Sequence, residues 1–229
     1  MNLLSRIVGR IRRDVRKAVR LRRARAAGLV HVAPNFLYSP RFAAGSVVVD
    51  AGCSYEADFS LYMIEHHGAR AFGVDPTQKH RSALQTLEKR FAGFAYVPCA
   101  IANVDGTLTF HESRDNESGS IFQDHVNMQH DATVSYDVEA LTLKSLLRRI
   151  GADAVEILKL DLEGAEYDLL GAVEREQLLP FKQIFVEFHH HAVDRYGVED
   201  TRRLVSRIAG FGFSAFSLDD HNYLFQRLS

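Results

Sequence analysis

The chain has 229 residues, 46% of them hydrophobic, and a formal net charge of −1. That length and composition suit one substantial soluble domain with a small appendage. No run approaches about 18 continuous apolar residues and no apolar core with a cleavage site opens the chain, so neither a membrane span nor a secretory leader is expected. Cys53 and Cys99 have neither metal-site spacing nor the density of a disulfide scaffold, which fits a reducing, cytoplasmic setting.

The near-neutral charge hides a division. Residues 1–30 carry ten basic side chains against the single acid Asp14, which leaves the remainder at −10. Leu4, Ile7, Val8, Ile11, Val15, Ala18 and Val19 recur at helical spacing with arginines on the other face, and this predicts an amphipathic cationic helix. Three roles stay open for it: peripheral contact of residues 1–25 with an anionic inner membrane face, capping of the domain, or completion of a homodimer. Nucleic acid is not expected as a partner, because no stacking aromatics interleave the arginines. The chain therefore divides into an N-terminal helical segment, 1–30, and a domain, 31–229.

From His31 to Gly45 two prolines punctuate an extended connection laid over the domain. Alternating units follow. Val47 to Asp50 reads as a buried strand, 57–67 as a helix, Ala71 to Val74 as a second strand, 78–91 as a helix and Phe94 to Val97 as a third strand. The rhythm breaks between 100 and 140, where NVDG makes a turn, TLTFHE alternates like a hairpin strand, and the polar stretch 112–131 is long for a plain connection. At the strand exits of an α/β sheet such a loop walls the ligand crevice, so substrate contacts are assigned to it, with a plain surface loop as the other reading. The pattern then resumes with a helix at 141–150, a strand at 155–160, a helix from 165, a strand at 183–191, a helix at 200–209 and two terminal strands around DDH. The expected fold is a seven-stranded mixed α/β sheet with helices on both faces and a C-terminal antiparallel hairpin.

Two strands end in polar groups. VVVDAG at 47–52 delivers Asp50 to a glycine turn, and LKLDLEGAE at 158–166 delivers Asp161, Glu163 and Glu166. Together with GVDP at 73–76 and VEFH at 186–189, these strings resemble the FkbM-type methyltransferases, a branch of the S-adenosylmethionine-dependent enzymes with a Rossmann-like class I fold. The resemblance runs directly over about 47–190, and LKLDLEGAE is its specific part. It implies S-adenosylmethionine as cofactor and transfer of its methyl group to a hydroxyl of a small molecule, sugar or glycan.

Under that resemblance, Asp50, Gly52, Cys53 and Ser54 would form the turn that admits the amino-acid end of the cofactor. Asp75 would accept the ribose hydroxyls, and Pro98 to Ala100 would edge the adenine. Where the family commonly has Glu before the proline, this chain has Asp75 before Pro76, which keeps both acceptor oxygens. Where its first loop usually has a second glycine, SYEAD at 54–58 has none and offers Glu56 and Asp58; Lys144 stands where an Asp is common. For catalysis, Asp161, Glu187 and His189 are expected to line one crevice, with Glu187 and His189 on one side of a continuing strand. Glu163 and Glu166 also fit a structural role at the positive end of the next helix. Three consecutive histidines on a regular strand cannot face one ion, so no metal centre is expected from His189 to His191. A nicotinamide-dependent enzyme is disfavoured by the lack of GxGxxG after the first strand. A non-catalytic binding or scaffold protein that retains the fold stays open as the alternative.

Overall fold

The computed structural model describes residues 3–116, 118–123, 125–128 and 130–228, with the backbone alone at 3–7, 11, 13 and 127. Helix α1 (Leu3–Ala26) is followed by a small antiparallel hairpin of β1 (Val30–Val32) and β2 (Phe36–Tyr38), so the connection expected to be merely extended is folded in part. The side chains of Leu4, Ile7 and Ile11 lie outside the described residues. Of the rest of that stripe, Val8, Val15 and Val19 are exposed, while Leu21 and Ala24 near the end of α1 pack on the body.

The alternating units form as their patterns predict. β3 (Val47–Ala51), α2 (Asp58–His67), β4 (Arg70–Val74), α3 (Arg81–Arg90) and β5 (Phe94–Val97) run in order, with a separate 3₁₀ turn, Gln78–His80, ahead of α3. After an excursion come α4 (Leu143–Ile150), β10 (Val155–Leu160), α5 (Glu166–Ala172), α6 (Arg175–Leu178), β11 (Phe181–Glu187), α7 (Val198–Gly210), and the strands β12 (Phe213–Ser217) and β13 (Asn222–Arg227). The seven-stranded sheet has the order β12-β13-β11-β10-β3-β4-β5, parallel except that β13 is antiparallel to both of its neighbours.

Alternation of side chains sends Val49, Ala51, Leu158 and Leu160 to one face, under Leu146, Leu170 and Ile208. Val48, Ile157, Phe185 and Leu224 go to the other, under Met63 and Leu84 of the helices and Leu37 of the hairpin. The central strands are therefore apolar throughout, as a parallel sheet covered on both sides requires. Each fully buried leucine or isoleucine contributes roughly 1.5–3 kcal/mol.

The excursion between 98 and 142 is a second sheet of four strands, β6 (Ala100–Ile101), β7 (Gly106–Ser113), β8 (Gly119–Ser120) and β9 (Thr133–Leu141), in the order β6-β9-β7-β8. β7 and β9 pair along their full length. TLTFHE forms the strand β7, but the local hairpin expected at NVDG does not form: β6 and β7 both pair with β9, which comes from beyond the polar stretch, alternates exposed and buried residues and carries polar side chains on its open face.

The main sheet reverses direction between β3 and β10: the chain leaves β3 towards β4 and β5, then returns to build β10 and β11 on the other side. Ligand crevices of α/β sheets open at the carboxyl ends of strands at such a switch point.

Candidate functional site

At the exit of β3 the backbone turns at Gly52 with φ +79°. A Cβ built there would stand 1.8 Å from the Asp161 carbonyl oxygen, so the exits of β3 and β10 approach as closely as they do only because position 52 has no side chain. Two residues on, Ser54 also adopts a left-handed conformation, φ 55°. The loop thus keeps the backbone shape that a second glycine would allow, with a serine in that conformation.

Asp75, at the exit of β4, is 3% exposed. Its carboxylate accepts the Ser54 N–H (3.0 Å) and the Thr77 N–H (2.8 Å), and His80 Nδ1 lies 3.4 Å away. The Tyr96 hydroxyl donates to the Asp75 carbonyl at 2.9 Å. Asp75 therefore ties the first loop to the second strand exit and still presents lone pairs to the space between them.

That space is a cleft whose lining includes Gly52, Ser54, Asp75, Ala100 and Asp161 of the residues singled out from sequence. The others lie apart from its wall. Pro98 is exposed, and Cys99 and Ile101 line the cleft beside Ala100 instead, since β6 starts at Ala100 and turns them inward. Cys53 is buried in the core, and burial raises its thiol well above the usual range. Asp50 is buried beneath the turn, accepts the Ser60 hydroxyl at 2.9 Å and lies 3.4 Å from Lys159 Nζ. Burial raises the Asp50 pKa despite the ammonium beside it.

The polar stretch contributes Ser118, Gly119 and Ile121 to the wall, and Phe110 comes from β7. Sequence reasoning pointed to the stretch but missed Phe110, which only the pairing of β7 with β9 and β8 brings over the cleft.

Acids and imidazoles gather at the β10 side of the cleft. Lys159 donates to Asp161 Oδ2 at 3.0 Å and to the Gly52 carbonyl at 3.3 Å. Although burial opposes it, the Asp161 and Asp50 charges hold the lysine well above its ordinary pKa. Burial likewise opposes ionisation of Asp161, and the Lys159 and His189 charges outweigh it to keep that carboxyl low.

β11 stops at Glu187, so His189 does not share a strand face with it as expected; it sits in the following turn, which swings its ring back towards β10. Glu166, fully buried, accepts the His189 N–H at 2.8 Å and the Gly164 N–H at 2.9 Å, and its Oε1 is 3.1 Å from His189 Nδ1. Burial disfavours a charged His189, yet the Glu166 hydrogen bond and the surrounding carboxylates push its pKa up to about 10. Nε2 of the same ring lies 3.6 Å from Asp161 Oδ1 and 3.5 Å from Glu163 Oε2, and His125 Nε2 is 2.6 Å from that Glu163 oxygen. His190 turns away, with Nδ1 2.9 Å from the Thr201 hydroxyl and its ring stacked on His221. The objection that three successive histidines cannot converge thus does not apply to His189 alone.

Glu187 lines a neighbouring recess under the β1–β2 hairpin with Lys159, Phe36, Phe59, Tyr62 and Asn222. Burial, and after it the Asp161 charge, raises Glu187 to about 6.

Comparison with known proteins gives the family. A family model described as the methyltransferase FkbM domain matches residues 50–219, from the acid before the first turn to the terminal hairpin. Among solved structures, the Methanococcus jannaschii fibrillarin pre-rRNA processing protein superposes with a TM-score of 0.50 at 10% identity, over 87% of this chain and 70% of that one. Aeropyrum pernix fibrillarin, solved with natively bound S-adenosyl-L-methionine, gives 0.46 at 10% identity over 91% and 74%. A Pyrococcus furiosus methyltransferase gives 0.41 at 8% identity over 92% and 98%. The first of these likenesses supports the fold and nothing narrower. A search among curated proteins returns no significant match. With the matched region containing both the Gly52–Asp75 cradle and the acid and imidazole cluster, the chain belongs to the FkbM methyltransferase family and is an S-adenosylmethionine-dependent methyltransferase.

Proposed function

We propose that the acceptor is a hydroxyl group of a small molecule, sugar or glycan, and that Asp161, Glu187 and His189 serve it. The observation that carries this reading is the convergence of acids and an imidazole on one side of a cleft whose other side is the Gly52–Asp75 cradle. A hydroxyl must give up its proton as it attacks, so the carboxylates are the proton acceptors that the reaction needs from the chain, with His189, held protonated by its acidic neighbours, balancing their charge.

The cofactor fits on two features. Gly52 leaves a cradle that a Cβ would fill, and Asp75 is a buried carboxylate with lone pairs facing the cleft. When bound, S-adenosylmethionine supplies an electrophilic methyl group on a sulfonium. Asp75 would accept the ribose hydroxyls; the backbone of Gly52 and Ser54 would meet the amino-acid end; Ala100 with Cys99, Ile101 and Phe110 would enclose the base in apolar surface. Asp50 acts at one remove, by holding the turn through Ser60 and Lys159, and Cys53 by packing beneath it. On the acceptor side Asp161 would meet the hydroxyl at the cleft wall, kept ionised by Lys159, with His189 behind it and Glu187 reaching from the neighbouring recess.

We further propose that residues 1–25 bring the enzyme to an anionic membrane surface. Supporting this are the exposed Val8, Val15 and Val19 on a helix crowded with arginine. Among the described residues no helix is long and apolar enough to cross a membrane, so the contact would be peripheral.

The direct test is incubation of the protein with methyl-labelled S-adenosylmethionine and a panel of sugars, glycans and hydroxylated metabolites, with NMR of the product. A methyl ether is expected. A methylated nitrogen would overturn the hydroxyl assignment, and cofactor binding without transfer to any acceptor would favour a binding or scaffold protein.

A further inference from the structure

The ring of His189 is oriented as a metal-ligating histidine is. Its Nδ1 is held by Glu166, a fully buried carboxylate whose two oxygens are also fixed by the N–H groups of His189 and Gly164. That hydrogen bond makes Nδ1 the donor and turns Nε2 towards the centre, where a cation would take the place of the Nε2 proton; a carboxylate behind the ring in this way fixes the orientation and raises the basicity of a ligating imidazole. Nε2 faces Asp161 Oδ1 and Glu163 Oε2, and one ligand atom from each of the three residues lies within 4.8 Å of the others.

The spacing is informative. The contacts of 3.5 and 3.6 Å from Nε2 to the two carboxylates are long for hydrogen bonds. They are close to the ligand-to-ligand edge around a cation bound at roughly 2.0–2.2 Å, which is about 3.0–3.6 Å. Each carboxylate also has a second partner: Asp161 Oδ2 takes Lys159 at 3.0 Å, leaving Oδ1 for the centre, and His125 Nε2 stands 2.6 Å from Glu163 Oε2. Glu163 reaches the centre from a left-handed backbone, φ 50°, a conformation that is strained for a non-glycine residue.

We propose that Asp161, Glu163 and His189 hold a divalent transition-metal cation, of the kind represented by Mn²⁺ or Zn²⁺. One imidazole with two carboxylates suits that class, whereas Mg²⁺ and Ca²⁺ prefer oxygen donors alone. Because Asp161 and Glu163 line the cleft and His189 lies behind them, the open coordination positions face the cleft. An acceptor hydroxyl entering there would coordinate through oxygen and lose its proton more readily. That role rests on the hydroxyl reading above; the binding of the ion does not.

The test uses the full-length protein, stripped with chelator and titrated with MnCl₂ by calorimetry and by electron paramagnetic resonance of free Mn²⁺. S-Adenosylhomocysteine is titrated separately on the same preparation. One site per chain is expected, weakened about tenfold or more by Glu163→Gln and by Asp161→Asn. Glu139→Gln, on an exposed pair with Arg149 away from the cleft, should leave binding unchanged. Normal S-adenosylhomocysteine binding with no saturable Mn²⁺ site would overturn the proposal and assign the centre to a proton shared among His189 and the carboxylates. Mn²⁺ binding that Glu163→Gln and Asp161→Asn leave unaltered would overturn it too, by placing the ion elsewhere.

Discussion

The close approach at Gly52 makes Gly52→Ala the most discriminating single substitution in the fold. The new Cβ would have to move from 1.8 Å to beyond 3.0 Å from the Asp161 carbonyl oxygen, and that atom is backbone, with no side-chain rotation available to relieve the contact. Parting the two strand exits would strain the bond from the Asp161 N–H to the Ala51 carbonyl (3.0 Å) and the one from Lys159 to the Gly52 carbonyl (3.3 Å). A left-handed alanine costs about 1–2 kcal/mol, and each hydrogen bond lost about 1 kcal/mol, so a loss of about 3–4 kcal/mol is expected. For a chain of this length that lowers Tm by roughly 6–15 °C. Gly68→Ala is the control, because Gly68 is also left-handed (φ +59°) but a Cβ there meets nothing within 4 Å. It should cost about 1–2 kcal/mol, from conformation alone. Thermal melts of both variants, with S-adenosylhomocysteine titrations of whichever remain folded, separate the two effects. If Gly52→Ala melts no lower than Gly68→Ala and binds the ligand normally, the packed cradle is not what Gly52 provides.

Ser54→Gly relieves a left-handed non-glycine residue and should raise stability by up to about 1 kcal/mol, with S-adenosylhomocysteine affinity kept; a tenfold loss of affinity would assign the serine side chain a direct role. Lys159→Met leaves Asp50 and Asp161 facing each other without their cation, so the urea midpoint should fall by the equivalent of about 3–5 kcal/mol, and a change below about 1 kcal/mol would contradict the buried network. Deletion of residues 1–26 should abolish co-flotation with vesicles containing phosphatidylserine while leaving S-adenosylhomocysteine binding intact. Flotation that is equal on neutral vesicles, or unaffected by the deletion, would remove the membrane role.

The main sheet was legible because its strands are buried on both sides: VVVDA, FGV and EILKL are continuous apolar runs bounded by turn residues, and the helices between them keep a clear apolar face. The second sheet was not, since β9 has a polar outer face and its partner lies 20 residues upstream across a stretch without periodicity. For the site, strand-exit acids pointed to Asp75 and Asp161, and both line the cleft. Asp50, equally placed in sequence, points instead beneath the turn, because alternation along β3 puts it on the face under α2, against Ser60. His189 was legible as a candidate in VEFH, but its turn back towards β10 depends on where β11 ends, and Phe110 required a long-range pairing that carries no local signal.

Binding of the cofactor in the Gly52–Asp75 cradle is tested by calorimetric titration of the purified protein with S-adenosylhomocysteine. One site of micromolar affinity is predicted, weakened about tenfold or more in an Asp75→Ala variant that still melts cooperatively, since the substitution removes the ribose acceptor together with the bonds from Ser54 and Thr77. No saturable binding by the wild-type protein, or binding that Asp75→Ala leaves unchanged, would contradict it.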